Sequence, residues 1–466
     1  MLKNNLYPAL ALSFATAMLT ACGGGGGNNN EKSDDVNETR IQVYNASPNS
    51  TGLTYEFEKN NETTHIASFI TFGDASGLTQ VSKNGTHEVT VSGIDANGDR
   101  EDILKDVEVT IRSDQRNIVF TYGIYPEIAL AEFDFNLNDL FDDTMRFLVA
   151  DFKVNSPGYD VYVGIADEGF SAAELWTTSV PGSMIEVGDF ETDTYDIYLT
   201  NTGTTDIVFT AEDVNMESET GYIIVLRDTF GPSNSGVAID KMTSSSTVVS
   251  YEDAFGAAQY RFMNLIDQTV NSELVSGDDT YTQEDIAPYS SSPYDVVNYN
   301  DYKIFLNDEN DQEIYRGVVM SLPQNATMGA AIYHDKEGAV KVLTFPESVR
   351  QLTYQVDINF VNLTTDIDQV DVYFVEEGKT IDTTPYTFQS VDFEEVETGN
   401  LPTNNYRVNV VIETEDHTLE MVYQSEMFDF QDNFNYTMLL YNDPDTPFGY
   451  NVMFAGADVS VNRLNQ

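Results

Sequence analysis

The chain has 466 residues, with 77 Asp and Glu against 22 Lys and Arg, for a formal charge of −55 at pH 7. That balance excludes a basic groove for nucleic acid, and it sets the folded part against anionic lipid headgroups. Apolar residues make up 41%, including 27 Tyr and 27 Phe, so there is material for real cores and the length points to several domains.

Residues 1–21 read as a secretory signal. Lys3 gives a weakly positive start, residues 6–19 are mostly apolar, and small residues follow. Pro8, Ser13 and Thr16 interrupt the run, which makes a poor membrane span. Leu19-Thr20-Ala21-Cys22 resembles the bacterial lipobox, in which leucine and two small residues precede a lipidated cysteine. The resemblance implies cleavage before Cys22 and lipid attachment to its sulfur; the plainer alternative is an ordinary signal beside an incidental cysteine. Cys22 is the chain's one cysteine, so no intramolecular disulfide forms, and a thioether would consume a thiol otherwise at risk in an oxidising compartment. Removing the signal takes away Lys3, its one charged side chain, and moves the net charge from −55 to −56. Residues 22–39, opening with five glycines and three asparagines, cannot form a core and are expected to act as a flexible tether spanning roughly 20–25 Å. By resemblance to such lipoproteins, Gly23 after the cysteine implies sorting to an outer membrane, with either the periplasmic side or the cell surface open.

Four stretches then repeat one plan. Each opens with a strand containing Arg40, Arg146, Arg261 or Asp357, and continues through period-two strands separated by Asp-, Asn- and Gly-rich turns. In the first copy His87-Glu88-Val89-Thr90-Val91 leads through Asp95-Ala96-Asn97-Gly98-Asp99 to Val107-Glu108-Val109-Thr110-Ile111 and Ile118-Val119-Phe120. Corresponding strands begin at Tyr195, Tyr302 and Tyr406. Spacings of about a hundred residues suit independent sandwiches rather than propeller blades or solenoid turns. The expected fold is all-β: four tandem antiparallel, immunoglobulin-like sandwiches over 40–143, 144–258, 259–352 and 353–466. Helix is limited to short turns near 137–141 and 172–175. Short linkers, 136–143 and 346–353, suggest a semi-rigid row of modules in an elongated monomer, reaching roughly 130 Å.

Arg40-Ile41-Gln42-Val43-Tyr44-Asn45-Ala46-Ser47-Pro48 resembles the opening of a bacterial extracellular domain family of unknown function, which continues into Asp-Val-Tyr on the next strand. The second copy offers Asn155-Ser156-Pro157 and Asp160-Val161-Tyr162, and the fourth Val361-Asn362 and Asp371-Val372-Tyr373. The third keeps Asn264-Leu265 alone, and the first has Leu53-Thr54-Tyr55 in place of Asp-Val-Tyr. The resemblance implies tandem sandwich modules on exported lipoproteins and supplies no activity.

Few residues suggest chemistry. Of four histidines, His87 takes the place of Tyr195, Tyr302 and Tyr406 and should point inward, while His334 should sit at an exposed strand end. His65 and His417 fall in turn-like sequence, and no pair has zinc-ligand spacing. There is no Gly-x-Ser-x-Gly elbow and no phosphate-cradling loop. No catalytic residue is assigned. The constellation that could bind a ligand is calcium: Asp95, Asn97 and Asp99 alternate as a calcium loop begins, and Asp308 and Asp311 frame a second acidic turn. Against this, Arg100 stands where the loop wants glycine and Asp106 where it wants glutamate, and hairpin turns select the same residues for their backbone angles. Trp176, the one tryptophan, reads as a packed aromatic rather than a sugar platform.

The expectation is a lipid-anchored envelope protein with a structural or adhesive role, bound to the membrane through its lipid and to a surface protein or glycan, without cofactor. The alternatives are a calcium-stiffened adhesin, and a hydrolase using acidic residues in the diverged segment 271–299 of the third copy.

Overall fold

The computed structural model describes residues 39–136, 140–414 and 417–458. The signal, Cys22, the tether up to residue 38, most of the helical turn expected at 137–141, and Asp416 of the last acidic turn lie outside them.

The first module contains β1 Thr39–Asn45, β2 Leu53–Lys59, β3 Glu62–Ile70, β4 Thr79–Val81, β5 Gly85–Ile94, β6 Arg100–Ile111, β7 Arg116–Ile124 and β8 Glu127–Phe135. Its two sheets run β4-β1-β7-β8 and β3-β2-β5-β6. The second contains β9 Thr144–Asp151, β10 Tyr159–Ile165, β11 Glu174–Thr178, β12 Ser183–Glu191, β13 Asp193–Asn201, β14 Ile207–Met216, β15 Gly221–Asp228, β16 Val237–Met242 and β17 Val249–Tyr251. The third contains β18 Ala257–Asn264, β19 Val270–Ser276, β20 Asp279–Ile286, β21 Ser290–Ser291, β22 Asp295–Asn298, β23 Asn300–Asp308, β24 Glu313–Leu322, β25 Thr327–His334 and β26 Val340–Pro346. The fourth contains β27 Gln355–Asn362, β28 Gln369–Glu376, β29 Thr387–Asp392, β30 Val396–Pro402, β31 Asn404–Glu413, β32 Leu419–Phe430, β33 Phe434–Asn442 and β34 Tyr450–Asp458.

All four modules share one topology. The sheets of the second run β12-β9-β15-β16-β17 and β11-β10-β13-β14, and those of the fourth β30-β27-β33-β34 and β29-β28-β31-β32. The third differs by splitting one edge into β21 and β22, both paired to β18. Helix among the described residues is one 3-10 turn, Phe170–Ala172, just ahead of the place expected for it. Pairing is antiparallel with one correction per module: β1 runs parallel to β7, β9 to β15, β18 to β25 and β27 to β33. Parallel neighbours need a long crossover, and the whole second sheet supplies it.

Two kinds of strand follow from what their faces meet. In the outer sheets one face is wet, so β2 alternates Leu53, Tyr55 and Phe57 inward with Thr54, Glu56 and Glu58 outward. The central strands of the other sheets are buried on both faces: every residue of β15 is buried, as are Phe147, Leu148, Val149 and Ala150 of β9. One face closes the module's own core, where Phe147 and Val149 meet Val161, Ile197 and Leu199. The other face forms a seam with the neighbouring module. Tyr44, Ile118 and Phe120 of the first pack on Leu148, Phe152, Ile223 and Val225 of the second. Met263, Ala331 and Phe345 of the third likewise meet Val361, Leu439 and Ala455 of the fourth.

The modules are therefore not strung end to end, which corrects the expected row. They join sheet to sheet in two pairs, and further contacts tie the pairs. Asn325 of the third module donates to Thr229 Oγ1 at 2.7 Å and the Phe230 carbonyl at 2.8 Å. The Thr353 amide donates to the Asn49 carbonyl at 2.9 Å, bringing the linker before β27 onto the first module.

A second correction concerns register. Counting from the buried residue that ends the first strand of each module, Asn45, Asp151, Asn264 and Asn362, the equivalents of Arg40 are Arg146, Gln259 and Asp357. Arg261 stands two residues further on. By the same count Asp151, not Asn155, is the counterpart of Asn45. The buried amide explains the motif: Asn45 Oδ1 accepts from the Ser47 amide at 2.9 Å while its Nδ2 donates across to the Ile70 carbonyl at 3.0 Å. Asn264 repeats this with Ile266 and Ile286, and Asn362 with Thr364 and Val391, so one side chain stitches the two sheets of a module.

Candidate functional site

The most elaborate side-chain chemistry lies in the seams. Arg116, at the start of β7, donates to Gln42 Oε1 at 2.7 Å and to the Gly221 carbonyl of the second module at 3.1 Å. Gln42 in turn donates to the carbonyls of Thr243 and Ser245 at 3.0 and 2.9 Å. At the other end of that seam Asp240 Oδ2 accepts from Tyr44 Oη at 2.5 Å and Arg227 Nε at 2.7 Å. Burial first, and then the Asp240 charge, hold the Tyr44 phenol protonated. The Phe72 ring lies 5.1 Å from the guanidinium carbons of both Arg227 and Arg350. Arg350, in the linker before β27, donates to the Pro48 carbonyl at 2.9 Å and also to the Ser50 carbonyl. Burial lowers Arg116 and Arg350 to about 10, which leaves both charged at neutral pH.

The other seam centres on an ion pair that is 3% and 2% exposed, Arg261 with Glu347. Arg261 Nε and Nη2 reach the Glu347 carboxylate at 2.8 and 2.5 Å, and Nη1 reaches the Gly456 carbonyl at 2.9 Å. Tyr294 and Thr437 hydroxyls donate to the same carboxylate at 2.8 and 2.7 Å. Tyr294 belongs to the segment 271–299 suspected of housing a hydrolase. That segment folds into β19 to β22 with their turns, and it contributes this hydroxyl to the seam.

The calcium candidates sit in hairpin turns. Asp95 Oδ1 accepts the amides of Asn97 and Asp99 at 2.8 and 2.9 Å, and Oδ2 accepts Asn97 Nδ2 at 2.9 Å. Those backbone bonds, the one from Asp99 foremost, lower its pKa. Asp308 Oδ1 takes the amides of Asn310 and Gln312 in the same way, and Asp335 those of Glu337 and Ala339. Gly98, Asp311 and Gly338 supply the positive φ of 80°, 59° and 80° that each turn requires. Gly98 also needs its bare Cα, because a Cβ there would fall 2.8 Å from Pro402 of the fourth module. Asp106 has φ 52° within β6. Among the described residues no group of three or more His, Cys, Asp or Glu is placed to hold a metal.

His87 is buried, its Nδ1 2.9 Å from the Gly85 carbonyl, in the register position of the inward tyrosines. His334 is exposed at the end of β25. His65 differs from expectation: it lies within β3, half-buried against the Phe57 ring at 5.7 Å. His417 occupies a turn, 2.6 Å from Glu413 Oε1. Trp176 is packed, stacked on Phe190 at 3.7 Å and edge-on to Phe147 at 4.8 Å.

A cleft of about 410 Å³ opens where the third and fourth modules meet, lined by Leu265, Tyr333, His334, Thr365, Tyr441 and Asn442 among others. Tyr289, 45% exposed, stacks on Tyr441 with ring centroids 5.4 Å apart. Sequence reasoning found neither this cleft nor the seam arginines. The available signal was the set of wholly apolar strands, which marks two buried faces without naming the partner of the second.

No helix among the described residues is long and apolar enough to cross a membrane. No protein-family model and no curated protein matches the chain. Among solved structures it is similar to the Bacillus anthracis TIE protein, at 8% identity and a TM-score of 0.14 over 88% of this chain and 74% of that one. It is also similar to the tip fimbrial protein Mfa3 from Porphyromonas gingivalis with C-terminal truncation, at 7% identity and a TM-score of 0.14, over 43% of this chain and 99% of that one. Likenesses at that score carry no argument about function.

Proposed function

We propose that this chain is an exported, lipid-anchored protein of a bacterial cell envelope, whose four fused sandwiches form a structural or adhesive scaffold rather than an enzyme. The observation that carries the reading is the use made of buried charge. Arg116, Arg261 and Arg350 donate to carbonyls of another module, and Arg227 pairs with Asp240 while lying against the Phe72 ring of the first. Buried ion pairs contribute little net stability, and their best-attested use is to fix register. A scaffold needs its modules held at fixed positions. Supporting this are the lipobox-like Leu19-Thr20-Ala21-Cys22 and the resemblance of the repeats to an extracellular domain family. Because the acidic body is repelled by anionic headgroups, the lipid on Cys22 supplies the attachment. The partner is a surface protein or a glycan, for which the Tyr289–Tyr441 stack beside the cleft offers a planar apolar face.

The test is Cys22→Ala in the full chain. The native protein is expected in the membrane fraction and to incorporate labelled fatty acid, and the variant in neither state. A variant that stays membrane-bound refutes the anchor. Turnover of a glycan or peptide in a substrate screen refutes the scaffold.

A further inference from the structure

We propose that the second module carries an intramolecular amide cross-link between Lys153 Nζ and the side-chain carboxyl carbon of Asp228, formed after folding. This does not rest on the proposed function; its argument is internal to the repeats. At one corner of each module, the end of the first strand lies beside the end of its parallel neighbour. Three modules end the first strand on a buried asparagine, and the second ends it on Asp151. Two residues on stand Ser47, Ile266 and Thr364 in the others, and Lys153 in the second. The registers Asn45 with Thr121, Asp151 with Leu226, Asn264 with Ile332 and Asn362 with Leu440 then place Gly123, Asp228, His334 and Asn442 in equivalent positions across the pair. The second copy alone brings an amine and two carboxyls to this corner.

The groups are close and dry. Lys153 Nζ stands 3.6 Å from Asp228 Oδ1, with side chains 17% and 2% exposed. Asp228 Oδ2 accepts the Val154 amide at 2.9 Å, which fixes the carboxyl plane. Asp151 Oδ2 accepts the Ser156 and Ser179 hydroxyls, each at 2.7 Å. Burial raises both carboxyls, Asp228 to about 6, against the weaker opposing pull of Lys153. The two groups face each other in a fixed geometry, which supplies the effective concentration that free reactants lack.

The step balances without any other reactant. Lys153 passes one proton to the Asp228 carboxylate it faces, the amine attacks the Asp228 carboxyl carbon, and a C–N bond replaces one C–O bond. Two of the three ammonium hydrogens leave with that oxygen as water, and the third stays on the amide nitrogen. A buried ion pair is exchanged for a neutral amide, and β9 becomes covalently joined to β15.

Mass spectrometry of the full chain, denatured and digested with trypsin, tests this. The expected result is a branched peptide lighter than its two components by one water, with cleavage after Lys153 lost. Linear peptides alone from the unaltered chain overturn the proposal. Lys153→Arg keeps the positive charge opposite Asp228, so it is expected to fold, with unchanged circular dichroism, yet to yield the linear peptides. A branched peptide from that variant overturns the assignment of the bond.

Discussion

Replacing Glu347 by alanine puts the seam between the third and fourth modules to a quantitative test. Its carboxylate accepts four hydrogen bonds, two from Arg261, one from Tyr294 and one from Thr437. In Glu347→Ala the Arg261 guanidinium keeps two carbonyl partners, at Gly456 and Ala455, and no counter-charge among those contacts. A buried charge stripped of its partner costs about 3–5 kcal/mol. The double variant Arg261→Met with Glu347→Leu removes charge and counter-charge together. It is expected to recover part of the loss, because the unpaired charge is gone while the Tyr294 and Thr437 hydroxyls and the Gly456 and Ala455 carbonyls still lose these partners. Urea unfolding followed by far-ultraviolet circular dichroism suits the measurement, since urea does not screen charge. A first transition shifted to lower urea in the single variant, and partly restored in the double, is the expected pattern. A single variant within about 0.5 kcal/mol of the parent, or a double variant as weak as the single, would refute the reasoning.

The remaining predictions concern the first two modules. Phe152 is 2% exposed and stacks on Phe120 at 4.5 Å across their seam, so Phe152→Ala should cost about 3–5 kcal/mol, read as a lowered Tm and faster amide exchange in β7 and β9. An unchanged Tm would mean the seam is not packed. Burial lowers the pKa of His87, so below its ordinary value near 6.5 the unfolded chain binds the proton that the folded chain refuses, and stability falls as pH drops. His87→Tyr, which installs the residue of the other three modules, should shrink the loss of Tm between pH 7.5 and pH 5. An equal loss in parent and variant would exclude the histidine as its source.

What the sequence made legible followed from single faces. Alternation in strands such as β2, and the recurrence of Tyr195, Tyr302 and Tyr406 at one register position, disclosed the sandwiches and the inward direction of His87. The seams were illegible because period two vanishes once both faces are buried. Tyr222 to Leu226 reads as a buried run, and nothing in it says whether sheet or solvent lies beyond. Arg261 could not be told from Arg146 by pattern, although Arg146 bonds to Asp189 at 2.7 Å on an exposed edge and Arg261 is buried. The second copy misled in register because Asn155-Ser156-Pro157 imitates a motif whose structural place belongs to Asp151. The acidic turns invited a metal because the residues that suit an ion's oxygen shell also suit a carboxylate capping its own backbone.

The contact between Asn49 and Thr353 has a consequence for biogenesis. Its partners lie 304 residues apart in sequence, and Arg350 reaches Pro48 over a similar distance. A chain synthesised from its amino terminus completes the first module long before the segment that covers residues 48–50 is made. Until then the Pro48 and Ser50 carbonyls lack the Arg350 guanidinium, although Tyr125 already holds the Asn49 side chain and the second module brings Arg227 and Phe230 to the Phe72 ring. The loop at residues 48–50 thus gains its last partners only in a chain that extends past residue 353, and its final shape depends on a segment far downstream.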